Sequence, residues 1–294
     1  MEKAVYHLPG LFEFYDFYRK FLPVYREKTE YFYDWCQIGS LYGAPADCLW
    51  AGGRVSTGNA DPRQVLALTE EYGLSARLTF SNSLLCPEHL KDPKCNRLCA
   101  LFGAEPGNGV IVHSELLLAY LKEKYPNFYF VSSTTKVLTD FEDLTAETER
   151  PDFRYVVPDF RLNKAFDRLA GLKEKRKVEF LCNECCWPGC RERKECYENV
   201  SRKNLGERCS DHICAAPEGE KGYRFSAAMK NPAFIGIRDI RETYLPMGFS
   251  QFKIEGRGLG SAMLLEFILY YLTKPEYQLP LREEMYLDSM LDLF

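Results

Sequence analysis

Short apolar runs recur along the chain, each closed by a polar or glycine-containing step and most followed by residues at helical spacing. Runs at 4–8, 31–38, 76–80, 109–112, 128–131, 155–157, 178–181 and 252–254 read as eight strands. Helical patterns follow at 12–25, 63–72, 115–124, 164–173 and 261–272. Phe14, Tyr15, Phe17, Tyr18, Phe21 and Leu22 form the aromatic stripe of the first helix, and Asp61-Pro62 is an N-cap and first-turn pair for the second. Strand alternating with helix predicts an α/β chain, a single (β/α)8 barrel of the TIM type over 1–294. A doubly wound sheet is the rival, but no glycine-rich phosphate loop follows the first strand. Two long connections, 83–108 and 182–250, interrupt the alternation, and both are places for functional embellishment. The tail, 275–294, reads as helical, with an amphipathic acidic end at 283–294.

Barrel enzymes carry their chemistry at the C-terminal ends of the strands. Here those ends hold Asn82, His113, Ser132, Ser133, Asp159, Arg161, Asn183, Glu184, Glu255 and Arg257. Each is an ordinary loop residue alone; together they are what a polar pocket on one face requires. His113, Asp159, Arg161 and Arg257 are the candidate catalytic residues, and Asn82, Ser132, Asn183, Glu184 and Glu255 the candidate substrate contacts. His113 suits proton transfer because its unperturbed pKa lies near neutrality. An arginine near thiolates suits an anionic small molecule.

Charge narrows the partners. The 294 residues include 38 basic and 42 acidic side chains, a net charge of −4, which gives no basic footprint for nucleic acid. The local patch Arg191, Arg193, Lys194, Arg202, Lys203 and Arg208 reads as a solvated face or a balance for thiolates, and RNA stays a less favoured partner. No run is apolar over the ~20 residues a bilayer span needs, and the N-terminal sequence lacks a signal-peptide pattern, so a cytoplasmic location with no membrane span is expected.

Cysteine adds a second kind of chemistry. Of twelve cysteines, seven fall between 182 and 214, directly after the seventh strand: Cys182, Cys185, Cys186, Cys190, Cys196, Cys209 and Cys214. In a reducing compartment these are thiols or metal ligands, and clustered sulfur selects soft metals. Cys186-x3-Cys190 and Cys209-x4-Cys214 are two close pairs, with Cys182-x2-Cys185 a competing first pair. Spacing permits zinc, and iron–sulfur clusters are also held by four thiolates. A metal-free, thiol-rich segment is the third reading. Cys95-x3-Cys99, with Cys86, is a weaker metal candidate; Cys36 and Cys48 read as structural.

The run 183–193, Asn-Glu-Cys-Cys-Trp-Pro-Gly-Cys-Arg-Glu-Arg, with Tyr197 and Asn199 behind it, resembles the cysteine signature of the collagenase-like peptidase family of unknown mechanism (peptidase family U-32). The stretch 237–257, ending in Phe252-Lys253-Ile254-Glu255-Gly256-Arg257, resembles that family's closing strand. The likeness covers roughly 178–257; upstream it rests on strand order. It implies a barrel with an iron–sulfur cluster, [4Fe-4S], on Cys186, Cys190, Cys209 and Cys214, and oxygen-independent hydroxylation of RNA bases or quinone precursors as the known chemistry. Cys182, Cys185 and Cys196 have no clear place in the family pattern.

Three classes of function follow. The first is an iron–sulfur enzyme oxidising or hydroxylating a small or nucleic-acid substrate. The second is a peptidase or other hydrolase, for which no His-Glu-x-x-His or serine elbow is present; His113 as base and Cys182 as nucleophile are the available pair. The third is a non-catalytic metalloprotein stapled by zinc or a cluster. The oligomeric state is not legible.

Overall fold

The computed structural model describes residues 2–52, 58–217 and 222–291, without the side chains of 287–291. Gly53 and Arg54 of the second loop, and the last residues of the acidic tail, lie outside it. The strands are β1 (Ala4–Pro9), β2 (Cys36–Gly43), β3 (Ser75–Phe80), β4 (Gly109–Val112), β5 (Tyr129–Ser132), β6 (Phe153–Val156), β7 (Glu179–Leu181) and β8 (Gln251–Lys253). Every pairing is parallel, in the order β6-β5-β4-β3-β2-β1-β8-β7, and a single Val156–Val178 bridge joins the two ends. The eight-stranded α/β barrel anticipated from the alternation is the fold.

The helices are α1 (Tyr15–Glu27), α2 (Pro62–Glu71), α3 (Pro93–Phe102), α4 (Glu115–Lys124), α5 (Phe141–Glu149), α6 (Phe166–Ala170), α7 (Arg193–Asn204), α8 (Phe225–Ala228), α9 (Ile237–Asp239), α10 (Ser261–Tyr271) and α11 (Gln278–Leu291). Their starts are chemically marked. Asp61 accepts from Arg63 N, Asp92 from Cys95 N, Ser114 from Leu117 N and Asp140 from Glu142 N, each capping an otherwise unpaired helix donor. No helix among the described residues is long and apolar enough to cross a membrane.

The second strand differs from its prediction. The run 31–38 is apolar enough for a strand, but Thr29–Tyr31 forms a 3-10 turn, and the barrel strand is Cys36–Gly43. The aromatic ring of Phe32 packs on Tyr25 instead, with centroids 4.8 Å apart. Within β2 a side chain at Gly39 has no room, since a Cβ there would lie 2.4 Å from Val5 Cγ1, beside the register shift between Tyr6 and His7.

Side chains fill the barrel in layers, as closure requires. One layer is charged. His7 Nδ1 lies 2.8 Å from Ser40 Oγ and His7 Nε2 3.0 Å from Gln251 Oε1. Arg77 donates to Glu179 at 2.5 Å and to the Tyr129 hydroxyl at 2.8 Å. The next layer toward the C-terminal ends is mostly apolar, with Tyr42, Ile111, Val131, Val157 and Leu181 in contact. By register Thr79 lies level with Ile111, and Lys253 level with Leu181. These two are its polar members.

Candidate active site at the barrel mouth

That second layer is the floor of a pocket of about 270 Å³ at the C-terminal ends of the strands. Tyr42, Thr79, Ile111, Leu181 and Lys253 form its base; Ser133 and Thr134 come from the β5 end, Glu255 and Arg257 from the β8 end, and Cys185 and Tyr223 from the long insertion. Arg257 and the cysteine-rich segment therefore share one mouth, as the strand order predicted.

Lys253 is 5 % exposed. Its amine stands over the Tyr42 ring at 3.5 Å from the centroid and 3.5 Å from Glu179 Oε1, and makes no hydrogen bond. Burial pulls its pKa down from the usual lysine value to about 8, against the attraction of Glu179. Glu179 is itself held down at about 2: burial raises it, but Arg77, His7 and Lys253 together outweigh that. His7 is kept neutral, near 3, first by burial and then by Arg77. Sequence reading passed over all four. The available signal was a charged or imidazole residue inside an otherwise apolar strand: His7 in β1, Arg77 in β3, Glu179 in β7, Lys253 in β8.

The residues expected at the strand ends fall into groups. Arg257 lines the pocket, but its guanidinium is engaged: Nη2 lies 2.6 Å from Glu13 Oε1 and also donates to Ala44 O. Glu13, fully covered, reaches this point over Gly43, where a Cβ would meet its Oε2 at 2.6 Å. Glu255 lines the pocket and is positioned by Asn183, which accepts from Glu255 N at 2.7 Å and donates to Glu255 O at 3.1 Å.

Asp159, Arg161 and Glu184 form a separate cluster around Arg193, which is 1 % exposed. Arg193 Nη2 lies 2.6 Å from Glu184 Oε2, and Nε 3.3 Å from Asp159 Oδ2. Asp159 also takes Arg161 Nε at 2.6 Å, and Arg161 Nη1 donates to Cys190 O at 2.8 Å. Glu184 Oε1 accepts from Cys185 N and Cys186 N. These charges fix the cysteine-rich segment onto the ends of β6 and β7.

His113, Asn82 and Ser132 do not line the pocket. His113 Nδ1 lies 2.9 Å from Thr135 Oγ1, whose residue does line it, and burial with Lys136 and Lys194 lowers the imidazole to about 4. Asn82 donates to Leu49 O and Ser201 O, tying the second loop to α7. Ser132 donates to Glu147 at 2.5 Å on α5.

Cys36, Cys48, Cys95, Cys99 and Cys182 are buried. Cys182 is fully buried, its thiol pKa pushed up by that burial, and it is absent from the pocket lining. Cys186, Cys190 and Cys209 are half-buried and Cys214 exposed. Among the described residues no three Cys, His, Asp or Glu side chains gather as a metal-holding group. The thiols are chemically right for zinc or a cluster, but among the described residues they do not gather around a common centre. Cys48 and Cys95 touch, Sγ to Sγ at 3.2 Å, in the apolar interior where filler thiols belong.

No family model matches the chain, and no curated protein matches it. Among solved structures the chain is similar to the U32 peptidase Mk0906, at a TM-score of 0.55 and 14% sequence identity, over 88% of this chain and 94% of that one. At that identity the likeness shows the fold alone.

Proposed function

We propose that the chain is an enzyme acting on a small molecule in the pocket at the barrel mouth. The observation that carries this is the combination of Lys253, Glu255 and Arg257 from one strand end with Cys185 from the insertion, all lining one cavity where barrel enzymes hold their chemistry. A buried lysine in a cleft, its pKa lowered by burial to about 8, marks a candidate functional residue. The cavity has room for roughly nine waters at about 30 Å³ each, which suits a metabolite or a terminal residue rather than a folded partner. Native mass spectrometry against pooled small metabolites, total RNA and short peptides tests it. Retention of low-mass ligands, lost on filling the pocket with Ser133→Trp, is expected; retention of RNA alone overturns it.

Hydrolysis of a peptide is the second reading, favoured by the likeness to a U32 peptidase. Cys185 is the thiol that lines the pocket, so cleavage of short fluorogenic peptides that vanishes in Cys185→Ser would support it. For the cysteine-rich segment we propose a soft metal, an iron–sulfur cluster before zinc, on Cys186, Cys190, Cys209 and Cys214; the close spacing of the two pairs supports it, and the metal would draw the four thiols together. Anaerobic analysis should find iron and acid-labile sulfide in roughly equal amounts; zinc without sulfide removes the cluster.

A further inference from the structure

We propose that the amine of Lys253 and the hydroxyls of Thr79 and Thr134 bind an oxyanion, a carboxylate or phosphate group of the substrate, in the mouth pocket. This rests on the reading of that pocket as the active centre.

Three residues that line this cavity carry a buried polar atom with no close hydrogen bond: Lys253 Nζ, whose nearest acceptor is Glu179 Oε1 at 3.5 Å, Thr79 Oγ1 and Thr134 Oγ1. Buried polar groups in folded chains are almost always paired, so three unpaired ones on one cavity call for a ligand. Its character follows from the inventory. An ammonium only donates, and each hydroxyl has one proton to give, so a ligand group that meets Lys253 must accept and both hydroxyls can donate to it.

Charge points the same way. Glu179 Oε2 is already 2.5 Å from Arg77, while Lys253 reaches only Oε1, at 3.5 Å. One carboxylate thus faces two cations, and His7 beside it is neutral. Arg257 adds nothing, because Glu13 neutralises it. Glu255, on the pocket wall, is the competing anion and lies at the rim end of the same strand. An oxyanion on Lys253 supplies the missing negative charge at the floor. A charge-assisted bond of this kind is stronger than a neutral one.

The test uses the full chain, with titration calorimetry and thermal shift at constant ionic strength. The probes are inorganic phosphate, acetate and malonate, with acetamide as the uncharged counterpart of acetate. Saturable binding of at least one anion is expected, and whether phosphate or the carboxylates win identifies the group. Lys253→Met should weaken it about tenfold to a hundredfold, and the double variant Thr79→Val/Thr134→Val about three- to tenfold. The double variant decides the matter should Lys253→Met fail to fold. Anion affinity unchanged in Lys253→Met, or acetamide binding as tightly as acetate, overturns the assignment. Acetamide binding with no anion binding removes the oxyanion site but leaves the small-molecule pocket. Absence of binding by every probe to the wild type removes the oxyanion site, and removes the pocket reading as well where native mass spectrometry also retains no low-mass ligand.

Discussion

Two buried clusters of charge sit within the same half of the molecule and are used differently. Around Arg193, the carboxylates of Asp159 and Glu184 both aim at one guanidinium, and the rings of Phe160 and Tyr197 cover its faces at 4.9 and 5.2 Å. Arg193 Nε and Nη1 lack hydrogen bonds, but carboxylate and ring occupy their surroundings and the residue does not line the pocket. Around Lys253, the amine has one distant carboxylate, one ring and a cavity. The first cluster holds a segment in place. The second leaves a cation without a close partner on a residue that lines a cavity. Burial of charge by itself therefore does not identify a working site; what distinguishes the two is whether the residue with the unmet polar atom also lines a cavity.

The contrast is sharpest in what deletion does. Arg193→Ala leaves Asp159 and Glu184 buried without their shared cation, a loss of about 3–5 kcal/mol. Because Glu184 also accepts from the Cys185 and Cys186 backbone, the loss should be felt first in the cysteine-rich segment. Urea denaturation should show the drop, and limited proteolysis should cut between 185 and 214 before the barrel opens. A variant as stable and as protease-resistant as the wild type would erase the distinction between the clusters.

Lys253→Met should act in the opposite direction. The lysine is held at about 8 against an ordinary 10.5, so below pH 8 the folded state carries a cation it disfavours. Replacing it with an apolar side chain should raise stability by about 1–3 kcal/mol at pH 7, since Glu179 keeps Arg77. The wild type itself gains stability as pH rises from 8 toward 10.5, so the advantage of the variant should shrink over that range. Melting curves at pH 7 and pH 10 check both statements.

Acid supplies a third comparison. His7 is held near 3 against 6.5, so below pH 6.5 the unfolded chain takes up a proton that the folded one refuses. Stability should fall by about 2 kcal/mol from His7 alone between pH 6.5 and 5. Glu179, held near 2 against 4.5, contributes stability that is present above 4.5 and is lost as pH falls from there toward 2. The decline should therefore begin near 6.5 and steepen below 4.5. His7→Gln, which retains partners for Ser40 and Gln251, should flatten the upper part of the curve; His113, held near 4, keeps part of it.

Much of the barrel is legible in the chain because β-branched and aromatic runs alternate with capped helices; the helix Glu115–Lys124, with Ser114 before it, is read to the residue. α7, Arg193–Asn204, is not, because it is polar almost all round and its buried residues are Arg193, Tyr197 and Ser201. The position of the thiols at the mouth is legible from the order of strands. The partner of Arg257 is not: Glu13 lies 244 residues away, and sequence offers nearer acids, Glu255 and Asp239. Lys253 stands in plain view within the closing-strand motif. Its weight comes from Tyr42, Thr79 and Glu179, each on another strand, and only the barrel brings them together.

The smallest expected effect concerns Arg257. Were this residue the anion grip that its place at the β8 end suggests, exchange for lysine would keep the charge and lose the planar fork, with a clear loss of ligand. The structure gives the fork other employment: Nε donates to Glu13 Oε1 at 2.7 Å, and Nη2 reaches Ala44 O at 3.3 Å. Arg257→Lys preserves an ion pair to Glu13 and gives up the Ala44 contact, a change of about 1 kcal/mol in stability. Affinity for acetate or phosphate should stay within about twofold of the wild type, where Lys253→Met loses about tenfold or more. A larger loss of anion binding in Arg257→Lys than in Lys253→Met would return the anion site to the strand end and make Lys253 part of the barrel's packing.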